Sequence, residues 1–191
     1  MMKNRMTQLI LAICLGLILS TSALAAQSRC EKQEQSRALR CTAYRQTTSY
    51  TCGPAAAMSL LRYFGRLTSK DMNKTTELRI AKEMDATTKG TSPAQVMSWL
   101  SSNGFSVSSG SCVTSSMIKE NIDRGIPTIV AYQNHWILAK GYHEDMIMFA
   151  DSECGTTVLP AEIIDTLWSV GAMKQSYCGI HSGFYITATP R

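Results

Sequence analysis

Gln46-Thr47-Thr48-Ser49-Tyr50-Thr51-Cys52-Gly53-Pro54-Ala55-Ala56-Ala57-Met58-Ser59-Leu60-Leu61 is a polar loop that ends in a cysteine and runs straight into an apolar helix. A cysteine at that junction sits at the positive end of the helix dipole, a field that favours thiolate over thiol. Pro54 suits the first helical turn, where its missing N–H costs nothing. Gln46 lies six residues upstream of Cys52 and carries an amide able to donate to an oxyanion. One short segment thus offers a nucleophile and a stabiliser for a tetrahedral intermediate.

The helix is expected to run to about Phe64 and to end at Gly65. Ala56, Met58, Leu60, Leu61 and Phe64 make its body almost wholly apolar, the mark of a central helix. Residues 75–84 read as a second helix. Ser92-Pro93-Ala94-Gln95 starts a third: serine caps, proline takes the first turn and glutamine closes a capping box. Val96, Trp99 and Leu100 are its apolar face and Gly104 its stop. Residues 105–107 read as a short strand, and a helix capped by Thr114 or Ser115 ends at Gly125. The second half changes period. Residues 127–132, 135–141 and 146–150 are β-rich, 160–168 suggest a short helix and 184–187 a last strand. The expected class is α+β: N-terminal helices, the cysteine at a helix N-terminus, packed on a C-terminal antiparallel sheet.

A nucleophilic cysteine needs a base, and His135, His143 and His181 are the three histidines. His143-Glu144-Asp145 reads as the turn after the strand that His135 begins. A hairpin centred near His143 or Glu144 pairs residues whose numbers sum to about 286 or 287, which sets His135 opposite Asp151 or nearly so. Side chains directly opposite share a face and approach within about 5.5 Å at Cβ, so Asp151 is placed to hold the imidazole. A slip of one residue would separate them.

Residues 1–25 read as a secretory signal peptide: Lys3 and Arg5, an apolar run from Leu9 to Leu19, then Ala23-Leu24-Ala25 at the cleavage position. The run is short for a membrane span, and no later run is long enough. The expected mature chain starts near Ala26, with residues 26–43 a polar surface extension and 44–191 the domain. Removing the signal takes two basic residues from the 19, leaving 17 against 14 acids. That mild balance, with no basic run, gives no support for nucleic-acid binding. Six of the seven cysteines remain in the mature chain, and export favours disulfides. If Cys52 stays free, five remain, so at least one more is unpaired; Cys30–Cys41 and Cys154–Cys178 are the pairs expected. Cys178-Gly179-Ile180-His181 has ligand-like spacing but is half a metal site. A disulfide cysteine beside a surface histidine is the simpler reading, and neither a metal nor a cofactor is expected.

Gln46, Cys52, His135 and Asp151 stand in the order of papain-like cysteine peptidases. The finer pattern resembles the C39 and C39-like peptidase family: Gln46, Cys52-Gly53-Pro54-Ala55, Met58 and Tyr63-Phe64-Gly65. The resemblance implies a papain-like fold, a Cys52–His135–Asp151 triad, a Gln46 oxyanion donor and a peptide or protein substrate. The chain departs from the best-known members in having Thr51, where they have aspartate, and in its export signal. The expected reaction is peptide-bond hydrolysis through a thioester in the periplasm or outside the cell. Phytochelatin synthase resembles the same superfamily, which makes acyl transfer on the same triad one alternative; a non-catalytic C39-like binding domain is another. Oligomeric state is open.

Overall fold

The helix that begins at Cys52 is the centre of the molecule. In the computed structural model, which describes residues 36–169 and 183–191, α1 spans Cys52–Tyr63, and every residue from Cys52 to Leu61 is buried. Before it lies β1 (Ser36–Ala38). After it come α2 (Lys74–Glu83), α3 (Pro93–Ser102), β2 (Phe105–Gly110), α4 (Ser115–Asp123), β3 (Thr128–Tyr132), β4 (His135–His143), β5 (Met146–Asp151), β6 (Gly155–Pro160), α5 (Ala161–Ser169) and β7 (Tyr185–Pro190). Gly65 ends α1 as expected, with φ at +71°, a conformation that costs glycine nothing. The α3 capping box is formed: Ser92 N–H donates to Gln95 Oε1 at 2.7 Å and Gln95 N–H to Ser92 Oγ at 3.4 Å.

The strands form one antiparallel sheet in the order β2-β7-β3-β4-β5-β6. β1 pairs with the far half of β4, beyond the stretch that β3 occupies. Side chains alternate between two cores. Trp136, Leu138, Ala150 and Ile186 pack with Ala56, Ala57, Leu60 and Leu100 of α1 and α3. Ile137, Ala139, Ile147 and Phe149 pack with Ile118, Ile122, Ile164 and Trp168 of α4 and α5. The sheet is therefore covered on both faces, and the helices are not confined to the N-terminal half.

β1 and β6 were not expected from the sequence. From Ser36 onward the stretch taken as a surface extension joins the sheet, and Cys41 is buried in the α1-side core. β6 is an edge strand whose Thr156-Thr157-Val158 run is short and largely exposed, so it carries no burial pattern to read. The expected disulfides are corrected too. Cys41, Cys52, Cys112 and Cys154 are free thiols, while Cys30, Cys178 and His181 lie outside the described residues. Burial pushes the Cys41 thiol up to about 12, against the pull of Lys140, so it behaves as a small apolar side chain.

Candidate active site

Two tight turns set the position of His135. Gln133 and Asn134 both have positive φ (48° and 66°) and join Tyr132 to its partner His135, the geometry of a two-residue hairpin that follows the twist of its strands. His135 therefore opens β4 at the end of the sheet. At the other end, His143 pairs with Met146 across Glu144 and Asp145, so the turn lies further along the chain than expected and the paired numbers sum to 289. That register differs from 286 by an odd number and, unbroken, would set Asp151 and His135 on opposite faces. A bulge between Ala139 and Gly141 removes the conflict. Beyond it the pairs are Ala139–Phe149 and Leu138–Ala150, a sum of 288. Continued one step, this register places Asp151 across from Ile137 and diagonal to His135 on the same face. The expected direct pair is thus a diagonal one, still within side-chain reach.

The side chains meet. His135 Nε2 lies 2.9 Å from Asp151 Oδ1, and because a carboxylate only accepts, Nε2 carries the proton. The remaining nitrogen, Nδ1, is left for the Cys52 thiol, which hydrogen-bonds the imidazole. Glu153 Oε1 stands 4.0 Å from Nδ1. Asp151 is buried and fixed from two further sides, by the Thr157 hydroxyl at 2.6 Å and the Glu153 N–H at 2.9 Å. Burial raises the Asp151 carboxyl, but these hydrogen bonds and His135 outweigh it and hold the group below its ordinary value. Burial alone would lower the imidazole. Hydrogen bonds to Cys52 and Asp151, with the charges of both, lift it from 6.5 to about 9.

The sign of that shift sets a pH window. A raised histidine pKa contributes stability that is fully present below about pH 6.5 and is lost as pH rises through about 9. The lowered Asp151 contributes above its unfolded value and loses that contribution as pH falls through its folded one. We expect the Tm advantage of the unaltered protein over His135→Ala to be largest near pH 6 and to shrink by pH 9.5. An advantage that grows with pH in calorimetry would contradict the assignment.

Gln46 reaches the same end of the sheet from the loop before α1. Its N–H donates to the Ser152 carbonyl at 3.0 Å. Its Nε2 donates to the Thr48 carbonyl at 2.8 Å, and its Oε1 accepts from the Ser152 hydroxyl at 2.6 Å. All four expected site residues are therefore gathered where β4 begins and β5 ends. His143, the rival base, is exposed at the far end of β4.

The loop that presents Cys52 is held from beneath by a residue the sequence reading missed. Glu77 of α2 is fully buried. Its carboxylate accepts from the Thr47 N–H (2.9 Å), the Thr47 hydroxyl (2.5 Å), the Thr51 hydroxyl (2.6 Å) and, more weakly, Tyr44 (3.4 Å). Burial, then the neighbouring Glu77 charge, raises the Tyr44 phenol. Thr51 spends its hydroxyl on Glu77 and makes no cap to the helix, so the first-turn N–H groups of α1 are not taken by it. The sequence did carry a signal: Glu77 shares a helical stripe with Ile80, Ala81 and Met84, and an acid on an apolar stripe needs buried donors. Gly53 follows Cys52 because nothing larger fits; a Cβ there would fall on Thr91 Oγ1, with Trp136 beyond.

The family pattern described as the Peptidase_C39 like family matches residues 38–162. The chain belongs to that family. Solved structures agree in fold. The peptidase domain of Streptococcus ComA, a bifunctional ABC transporter, is similar at 16% identity and TM-score 0.60, covering 80% of this chain and 100% of that one. A double glycine motif protease from an AMS/PCAT transporter, solved with its leader peptide, gives 15% identity and TM-score 0.59, covering 83% and 100%. A C39-like peptidase from Bacillus anthracis gives 10% and 0.59, covering 83% and 99%. A search of curated protein sequences finds no match. The C39-like peptidase fold is the papain-like α+β arrangement expected from the sequence.

Proposed function

We propose that the protein is an exported cysteine peptidase that cleaves a peptide bond through Cys52, His135, Asp151 and Gln46. The observation that carries this reading is the position of His135, between the thiol at the start of α1 and a buried, multiply bonded Asp151. Cys52 gives its proton to Nδ1, and its thiolate attacks the carbonyl carbon. The oxyanion is held by the Cys52 N–H and the Gln46 side-chain amide. His135 protonates the leaving amine, then takes a proton from the water that hydrolyses the thioester. Asp151 keeps the Nε2–H tautomer and steadies the imidazolium, as the third member of a triad does. Membership of a peptidase family supports hydrolysis, and the leader peptide bound by a structurally similar protease supports a peptide substrate. The signal-like residues 1–25, outside the described region, favour action in the periplasm or outside the cell after cleavage near Ala25.

The test is the pH profile of iodoacetamide alkylation at Cys52, followed by peptide mass spectrometry in the unaltered protein and His135→Ala. Cys112 and Cys154, both exposed free thiols, serve as internal references. Alkylation of Cys52 that stays fast below pH 7, where the references are slow, and that is lost in His135→Ala supports the ion pair. A Cys52 profile that tracks the references in both proteins would sink the reading and leave a binding domain.

A further inference from the structure

Asp151 and Ser152 are consecutive, and each holds a different part of the site. Asp151 orients the imidazole, while Ser152 grips Gln46 at two points, its carbonyl taking the Gln46 main-chain N–H and its hydroxyl meeting the side-chain Oε1 at 2.6 Å. The direction of the amide follows from donor chemistry. The Thr48 carbonyl only accepts, so the atom 2.8 Å from it is the Gln46 NH2 group; the other side-chain atom is then the oxygen, and the Ser152 hydroxyl must donate to it. Nε2 carries two hydrogens and Thr48 uses one. Ser152 is itself only 4% exposed, so water does not compete freely for its hydroxyl.

We propose that Ser152 is a positioning residue for acyl chemistry at Cys52, locking the Gln46 amide so that its second N–H is presented to the developing oxyanion. This rests on the cysteine-peptidase reading above. The terminal torsion of a glutamine is broad and roughly two-fold, so an unheld amide also samples the orientation that offers its oxygen to the negative charge. A donor fixed beforehand is worth more to the transition state than one that must reorient. Donation into Oε1 also polarises the amide and strengthens its N–H groups as donors. Because Ser152 follows Asp151 on the same turn, one dipeptide sets both the base and the oxyanion donor.

Two reagents separate this role from a structural one. p-Nitrophenyl acetate acetylates Cys52: the sulfur–carbon bond of a thioester forms, the ester carbon–oxygen bond breaks, and p-nitrophenolate leaves with the electron pair after an oxyanion intermediate. Iodoacetamide alkylates the same sulfur by direct displacement of iodide, with no oxyanion. Ser152→Ala is expected to slow acetylation about tenfold, the worth of one neutral hydrogen bond, while alkylation stays within about twofold of the unaltered protein. Ser152→Thr, which keeps a hydroxyl, should recover most of the acetylation rate. In a Gln46→Ala background, Ser152→Ala should have no further effect. An equal fall with both reagents, no fall in acetylation, or additivity with Gln46→Ala would each overturn the proposal.

Should Ser152→Ala not fold, the unaltered protein decides by hydrogen exchange of the Gln46 side-chain amide, assigned against Gln46→Ala. The N–H on Thr48 should exchange about tenfold or more slowly than its partner; equal exchange of the two would overturn the lock. If unaltered Cys52 reacts with neither reagent faster than Cys112 and Cys154, the peptidase reading itself fails, an outcome distinct from failure of the Ser152 role.

Discussion

His135→Ala is expected to lower kcat/KM by about 10⁴ on any peptide that the unaltered protein cleaves, the upper end of what a positioned acid–base group supplies. Two losses combine. The imidazole is the hydrogen-bond partner of the Cys52 thiol, so its removal leaves the sulfur without a proton acceptor. It is also the group placed beside the sulfur to protonate the leaving amine, since Asp151 is turned to Nε2 and tied to Thr157 and Glu153. The fold should survive, because His135 opens a strand at the end of the sheet while the cores are built from Trp136, Ile137 and their neighbours. Circular dichroism and kcat/KM together check this. Cleavage within tenfold of the unaltered rate by a folded variant would remove His135 from the reaction.

Gln46→Ala is expected to reduce kcat by about 10²–10³, the cost of one oxyanion donor, with KM little changed because the bond strengthens only in the transition state. The substitution also deletes the side-chain bonds to Thr48 and Ser152. Each is worth about 1 kcal/mol of stability, too little to unfold a domain of this size. Iodoacetamide alkylation of Cys52 should be unaffected, since that displacement builds no oxyanion. A parallel loss in alkylation would mean that Gln46 supports the cysteine rather than the intermediate. Near-full turnover would take Gln46 out of the mechanism.

The order in which side chains reach the site explains what was legible beforehand. The Cys52 junction is local: a loop, a proline in the first turn and an apolar helix lie within sixteen residues, and local preferences agree with the burial observed. The His135–Asp151 contact was found through an approximate hairpin centre. It survived because the real turn and the bulge near Lys140 shift the register by an even number in total. No rule of spacing announces that bulge. Ser152 is a long-range partner of Gln46, and Thr157 reaches Asp151 from β6 across a tight turn; a lone serine or threonine hydroxyl gives no sign in the sequence of the contact it makes. The two expected disulfides followed from compartment and count alone. At Cys41 the expectation failed because the core around α1 takes that side chain as an apolar filler, and Cys154 is an exposed free thiol.

By itself the sequence determined the cysteine at the helix start, the buried helix behind it, the capped third helix, the α+β class and the four residues on which the proposed chemistry turns. These depend on nearest neighbours and on the periods 2 and 3.6, which any local stretch displays. Only the tertiary structure decided which residues hold those four in place. Glu77 beneath the cysteine loop, Ser152 on Gln46, and Thr157 of β6 on Asp151 are brought in from other elements. The reason is physical: a buried carboxylate or amide is tolerated only where several donors and acceptors converge on it, and that convergence exists only once the chain has closed on itself.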